Sequence, residues 1–161
     1  LKMYFNKFEE DGLALDKKRR VDVYALDYNN TLPWIETFIT AEWAWVRVDV
    51  PETFGQQYGS RQMGGFADIV QPIIRRKILD WENASVNLAC RFEYVDYNVG
   101  KFNETGHNIG DQIWSIIPAI SFRPSARTVL RLNYRILEAT DLIGNPPSLT
   151  KGFNFGLSTY F

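Results

Sequence analysis

No apolar run in this sequence reaches the roughly 18 residues that a membrane-spanning helix requires. Any crossing of a bilayer would therefore have to be made by strands closed into a barrel. There is a single cysteine, Cys90, which excludes an intrachain disulfide framework. His107 is the only histidine, and no second His or Cys stands at ligand spacing from it, so no zinc-type site is predicted. The formal net charge is −1, without the basic excess of a dedicated nucleic-acid binder. No helix of useful length and no repeat beyond successive hairpins can be read. The chain opens on Leu1 with neither an initiator methionine nor a signal peptide, so either a leader has been removed or a longer polypeptide has been cut, and the second is the expectation.

What is abundant is aromatic. Of 161 residues, 15% are aromatic (11 Phe, 8 Tyr and 5 Trp), a load that interfacial girdles would accommodate. Apolar residues at 45% and charged ones at 23% look like those of a soluble domain. Transmembrane barrels share such averages, because only every second strand residue meets lipid. The stretch KGFNFGLSTYF shows this most plainly. Phe153, Phe155, Leu157, Thr159 and Phe161 fall on one face of an extended strand, with Gly152, Asn154, Gly156, Ser158 and Tyr160 on the other.

Earlier segments follow the same period with varying clarity. LKMYFNKF is a short strand candidate, followed by the charged loop EEDGLALDKKRR and a second strand at Val21 to Tyr28. NNTLP, Asn29 to Pro33, reads as a turn. In the third strand, Ile35, Ile39, Ala41, Trp43 and Trp45 share a face opposite Glu36, Thr40 and Glu42. The phase blurs at Val46, Val48 and Val50, predicting either a bulge or a strand end beyond the bilayer. MGGFADIVQPIIRR is the least regular strand, and Pro72 removes a ladder donor. In the fifth strand Ala84, Val86, Leu88, Cys90, Phe92 and Tyr94 oppose Ser85, Asn87, Ala89, Arg91 and Glu93. Trp114, Ile116, Pro118, Ile120 and Phe122 share a face of the sixth. After the tight connection RPSAR, Leu130, Leu132, Tyr134 and Ile136 oppose Arg131, Asn133 and Arg135.

By these boundaries the odd-numbered connections are about 11 to 15 residues and the even ones about 4 to 7, an alternation that outer-membrane barrels share. The expected fold is therefore all-β, an antiparallel up-and-down transmembrane β-barrel of about eight strands in a single domain, residues 1–161. The 98–110 loop would face outward and 123–127 the periplasm. The competing reading is a soluble β-sandwich or barrel with the greasy face turned inward.

If the polar faces line a lumen, Arg91, Glu93, Asn87, Arg131, Asn133 and Arg135 line it too. The arginines would form a positive wall drawing anions, or be tied into a plug by Glu93, Glu36, Glu42 and Asp68. No catalytic residue and no cofactor are expected, since His107 stands alone in a Gly- and Asn-flanked loop. Asp96, Glu104 and Asp111 would hold a calcium ion or simply be solvated loop charge. Lys17, Lys18, Arg19 and Arg20 either contact lipopolysaccharide phosphates or form a solvated loop end. Trp34, Trp45, Trp81 and Trp114 lie near strand ends, as a girdle requires, and Trp43 lies deeper.

The segment WENASVNLACRFEYVDYN resembles phosphate-selective porins of the O and P type and related Bacteroidetes porins, in which a tryptophan-bearing turn enters a strand ending in Arg-aromatic and then Asp. SFRPSARTVLRLNYR is similar to that family's penultimate hairpin, and the last strand resembles the outer-membrane assembly signal, carried here by Phe153, Phe155, Leu157, Tyr160 and Phe161. The resemblance covers about the last half of the chain. Members are barrels of about 16 strands, which implies that this chain is the carboxy-terminal portion of one. It further implies a passive channel in the bacterial outer membrane for small solutes, anions among them. The expected partners are outer-membrane lipid and lipopolysaccharide, the barrel-assembly machinery and, in the whole pore, a homotrimer. The sequence lacks a Lys-rich loop that would align with the family's anion-binding ladder.

Overall fold

A computed structural model describes residues 1–5, 9–10, 13–14, 19–50, 55–56 and 58–160. The described residues contain no helix. Eight strands form one antiparallel up-and-down sheet: β1 (Lys2–Phe5), β4 (Arg19–Leu32), β5 (Thr37–Val48), β6 (Arg61–Arg75), β7 (Ser85–Asp96), β8 (Gln112–Ser125), β9 (Thr128–Thr140) and β10 (Ser148–Thr159). Two short segments, β2 (Glu9–Glu10) and β3 (Leu13–Ala14), pair with each other inside the first connection. The sheet is open, with β1 and β10 at its edges.

The register carries one face unbroken from strand to strand. Leu26 pairs with Trp43, Trp43 with Gly65, Gly65 with Tyr94 and Tyr94 with Trp114. Further along the strands, Leu88 pairs with Ile120, Ile120 with Leu132 and Leu132 with Phe155. No second layer covers this face among the described residues: Leu26 is 66% exposed, Leu132 45% and Phe155 70%. The opposite face carries Asn29, Thr40, Asp68, Arg91, Arg131 and Arg135, while Asp22, Arg47, Arg61, Glu138 and Lys151 stand toward the ends of the apolar face itself.

Several predicted boundaries are corrected. NNTLP is not the turn: Asn29 and Asn30 pair with Thr40 and Ile39, and the turn is 33–36, with Glu36 at φ 53°. Asn is tolerated inside the ladder because the Thr40 hydroxyl donates to Asn29 Oδ1 at 2.9 Å. Ile35 and Glu36 consequently lie in that turn and not on the faces of β5. No bulge follows Trp45. Val46 and Val48 continue in register with Val23 and Val21, on the face opposite Trp45.

The bulge lies in β6, where Pro72 pairs with Asn87 and Ile74 with Val86, leaving Ile73 extra. That residue resets the two-residue period, which is why the strand's faces could not be read. A second shift between Phe122 and Ser125 shortens RPSAR to a two-residue turn, 126–127. The 49–60 and 97–111 connections are long and 33–36 is short, as expected. The alternation nevertheless breaks at 76–84, which is longer than 141–147. The segment EATDLIGNPPSLTKG, which reads in the sequence as the last loop, is shorter in the structure: Glu138 and Ala139 are strand residues paired with Leu149 and Ser148.

Gly65 is the most closely approached of the described glycines in the sheet. A Cβ there would strike the Glu42 carbonyl oxygen and lie 2.9 Å from both the Trp43 backbone and its ring. The rings of Trp43 and Tyr94, on the strands either side, stack across it at 6.0 Å and 4°. Aromatic neighbours thus cover a glycine that has no side chain of its own to pack. This gives Trp43 a place in the aromatic row of Trp45, Tyr94 and Trp114 near the 49–60 and 97–111 end. Trp81 packs edge-on against Phe122 at 5.4 Å near the other end.

Candidate functional site

The polar face brings together side chains from four strands, charged ones from β6, β7 and β9 and a hydroxyl from β8. Asp68 on β6 pairs with Arg91 on β7, and Glu93 lies one row further along the same face of β7. Arg91 grips Asp68 bidentately, Nε to Oδ1 at 2.7 Å and Nη2 to Oδ2 at 2.5 Å, the geometry in which Arg–carboxylate pairs are strongest. Its Nη1 lies 3.5 Å from Glu93 Oε1. On the other side Glu93 Oε2 accepts from Arg135 Nη2 of β9 at 2.8 Å and from the Ser115 hydroxyl of β8 at 2.6 Å. The Arg91 guanidinium also sits 4.6 Å over the Phe66 ring, a cation–π contact.

Two arginines and two carboxylates therefore cancel. Of the two alternatives left open by the sequence, the tied network describes Arg91 and Arg135. Arg131 pairs in register with Ser121 and Gly156 and forms no ion pair among the described residues. Of the acids named as partners, Glu93 and Asp68 take part. Glu36 instead bonds Arg75 at 2.6 Å beside its turn, and Glu42 joins no ion pair among the described residues. Asn87 is buried and donates to the Ser121 hydroxyl at 3.4 Å, and Asn133 accepts from Asn154 at 3.0 Å.

Ser115 was missed by sequence reasoning, although its place between Trp114 and Ile116 puts it on the same face as Glu93. It is completely buried, and its hydroxyl helps fix the Glu93 carboxylate. On β10, Gly152 and Gly156 stand beside Arg135 and Arg131, and nothing lies within 4 Å of where their Cβ atoms would be. The polar face is open there.

Phe153, Phe155 and Leu157 of the terminal segment lie on the apolar face. Tyr160 lies past the end of β10, its amide bonded to the Arg127 carbonyl at 3.0 Å, and is 76% exposed. Phe161, Lys17 and Lys18 lie outside the described residues. Arg19 and Arg20 are strand residues of β4, with Arg19 reaching Asp49 at 3.4 Å and Arg20 reaching Asp22 at 2.9 Å. Cys90 is exposed on the apolar face beside Ile69 and Pro118. His107 is exposed in the 97–111 connection.

Of the loop carboxylates, Asp96 caps the Asn98 amide at 3.0 Å and Glu104 is exposed. No group of three His, Cys, Asp or Glu suited to a metal occurs among the described residues. The Asp111 carboxyl is pushed above its ordinary value, first by burial and then by the charges of Asp96 and Asp141. A carboxyl raised in the folded state favours folding when protonated, and this advantage is lost as pH rises through the carboxylate range. Asp111→Asn should therefore raise the unfolding midpoint at pH 7, with the gain fading at acidic pH. A variant no more stable than the parent at pH 7 would contradict this. Asp141 is shifted the other way, because Asn145 donates to it from both side chain and backbone, at 2.7 and 3.2 Å.

No protein-family model, curated protein or solved structure matches this chain.

Proposed function

We propose that the chain is the carboxy-terminal portion of an outer-membrane β-barrel porin, a passive channel for small solutes of the kind that its last half resembles. The observation that carries this reading is the apolar face, continuous over seven strands and uncovered by any second layer among the described residues. A monomer in water ordinarily exposes apolar patches of only a few hundred Å², whereas here Leu26, Leu88, Leu132 and Phe155, on four different strands of one face, are all exposed. In a bilayer that face is the surface a barrel needs, with the polar face turned to the lumen and no lipid-exposed edge once closed. The free edges of β1 and β10 fit a segment of a larger closed sheet, and aromatics at both ends of the face fit the two interfacial girdles. Arg91, Glu93, Asn87, Arg131, Asn133 and Arg135 then line the water path, and no residue is assigned a catalytic role.

Ion preference tests this. Arg131→Glu with Arg135→Glu should shift the reversal potential of the whole porin toward cations in a planar bilayer. Each substitution alone should contribute, since each reverses one charge and Arg135→Glu also leaves Glu93 without its arginine. Unchanged conductance and preference in the folded double variant would remove these arginines from the path.

A second reading is a small non-conducting barrel of eight strands, structural or adhesive in role, with its interior filled by side chains. The charge-balanced network from Asp68 to Arg135 favours it, since such a network can close a narrow lumen. An inserted chain of 161 residues that passes no current would decide for it.

A further inference from the structure

Two hollows lie in line on the apolar face of β4, β5 and β6. One, of about 460 Å³, is apolar, walled by Leu26, Trp43 and Phe92 over a floor of Ala41, Gly65 and Ala67. The other, of about 750 Å³, lies at the strand ends that carry the 49–60 connection, lined by Arg20, Asp22, Arg47, Asp49 and Arg61 among others. Arg47, Trp45, Trp43 and Ala41 share one side of β5. At about 3.4 Å per residue, Arg47 stands roughly 13 Å along the strand from Trp43.

The charged hollow has an unbalanced feature. Arg47 and Arg61 are the last pair of the β5–β6 ladder, directly opposite each other, where like charges repel. Both are exposed, and neither forms an ion pair among the described residues. Asp22, which faces Arg47 across the β4–β5 ladder, is engaged by Arg20 at 2.9 Å. It is only 5% exposed, yet its Oδ1 has no hydrogen-bond partner. Two free guanidinium forks beside an unused carboxylate oxygen match a phosphomonoester, whose anionic oxygens take the forks and whose protonated oxygen donates to Asp22.

We propose that this surface binds one anionic lipid, its phosphomonoester held by Arg47 and Arg61 and an acyl chain passing Trp45 into the hollow over Gly65. The proposal rests on the bilayer reading above and names a lipid partner for the outer face. The apolar hollow, in line on the same strands, favours a lipid over free phosphate.

The test is native mass spectrometry of the whole chain released from detergent, titrated with dioleoyl phosphatidic acid, dioleoyl phosphatidylcholine or inorganic phosphate. The wild type should retain one phosphatidic acid in preference to phosphatidylcholine. Arg47→Gln with Arg61→Gln should weaken that retention at least tenfold. Ala67→Phe, which fills the apolar hollow and leaves the arginines in place, should weaken it as well. Equal retention of the two lipids overturns the site, as does a folded double arginine variant that binds like the wild type. Displacement by equimolar inorganic phosphate, with Ala67→Phe without effect, would mean a free-anion site and also overturn it. A chain that inserts into bilayers but ignores phosphatidic acid refutes this site alone, whereas one that inserts into none refutes the bilayer reading with it.

Discussion

Leu132→Arg should destabilise the folded, inserted state by roughly 2–4 kcal/mol and lower its yield, while Asn133→Arg one residue on should be tolerated. Leu132 is paired on either side with Ile120 and Phe155, in the middle of the apolar face. A charge on the lipid side near the bilayer midplane costs roughly 2–4 kcal/mol, whereas substitution on the lumen side mainly tunes selectivity. Against a net stability of about 5–15 kcal/mol, that is a large share. Folded yield is read from heat-modifiable migration of the refolded chain. A harmless Leu132→Arg beside a disruptive Asn133→Arg would mean that the faces are inverted, as in a soluble barrel with its greasy side inward.

Gly65→Ala is expected to be the most damaging single-methyl change in the sheet. Its Cβ would land on the carbonyl oxygen of Glu42, a backbone atom that no rotamer change can move away. The Trp43 ring stacked on Tyr94 closes off the other direction. The cost should reach or exceed the ~1–3 kcal/mol of ordinary overpacking, because a ladder and not a side chain must yield. Gly156→Ala is the control, with nothing within 4 Å of its would-be Cβ, and its effect should stay within about ±0.5 kcal/mol. Equal denaturant midpoints for the two variants would refute the assignment of Gly65 as a close approach.

Faces in the second half were legible in the sequence because alternation is kept within the strands, from Val86 to Tyr94, from Leu130 to Ile136 and from Phe153 to Leu157. A two-residue period fixes a side chain's face without any knowledge of its neighbours. Legibility failed where the backbone departs from that period. Ile73 is an inserted residue, so Ile73 and Ile74 read as an unphased apolar pair, and only the partner strand shows the shift. NNTL failed for another reason: asparagine's turn preference is a local tendency, and the Thr40 hydroxyl across the ladder overrides it. The site was legible as a set of residues and not as a set of bonds. Asp68 is 23 residues from Arg91, and Glu93 is 42 from Arg135. Only strand register decides that these meet while Glu36 and Glu42 do not join them. The arginine pair at 47 and 61 was invisible for the same reason.

The most direct test of a lipid-facing apolar side and a water-facing polar one is an accessibility scan along β9. In a Cys90→Ala background, single cysteines at positions 129 to 136 would be spin-labelled in bilayers, and collision with oxygen compared with collision with a water-soluble nickel complex. The expected record alternates with period two. Oxygen contact should be highest at Leu130, Leu132, Tyr134 and Ile136, and nickel contact highest at Val129, Arg131, Asn133 and Arg135. The opposite phase, or nickel contact at every position, would contradict the account.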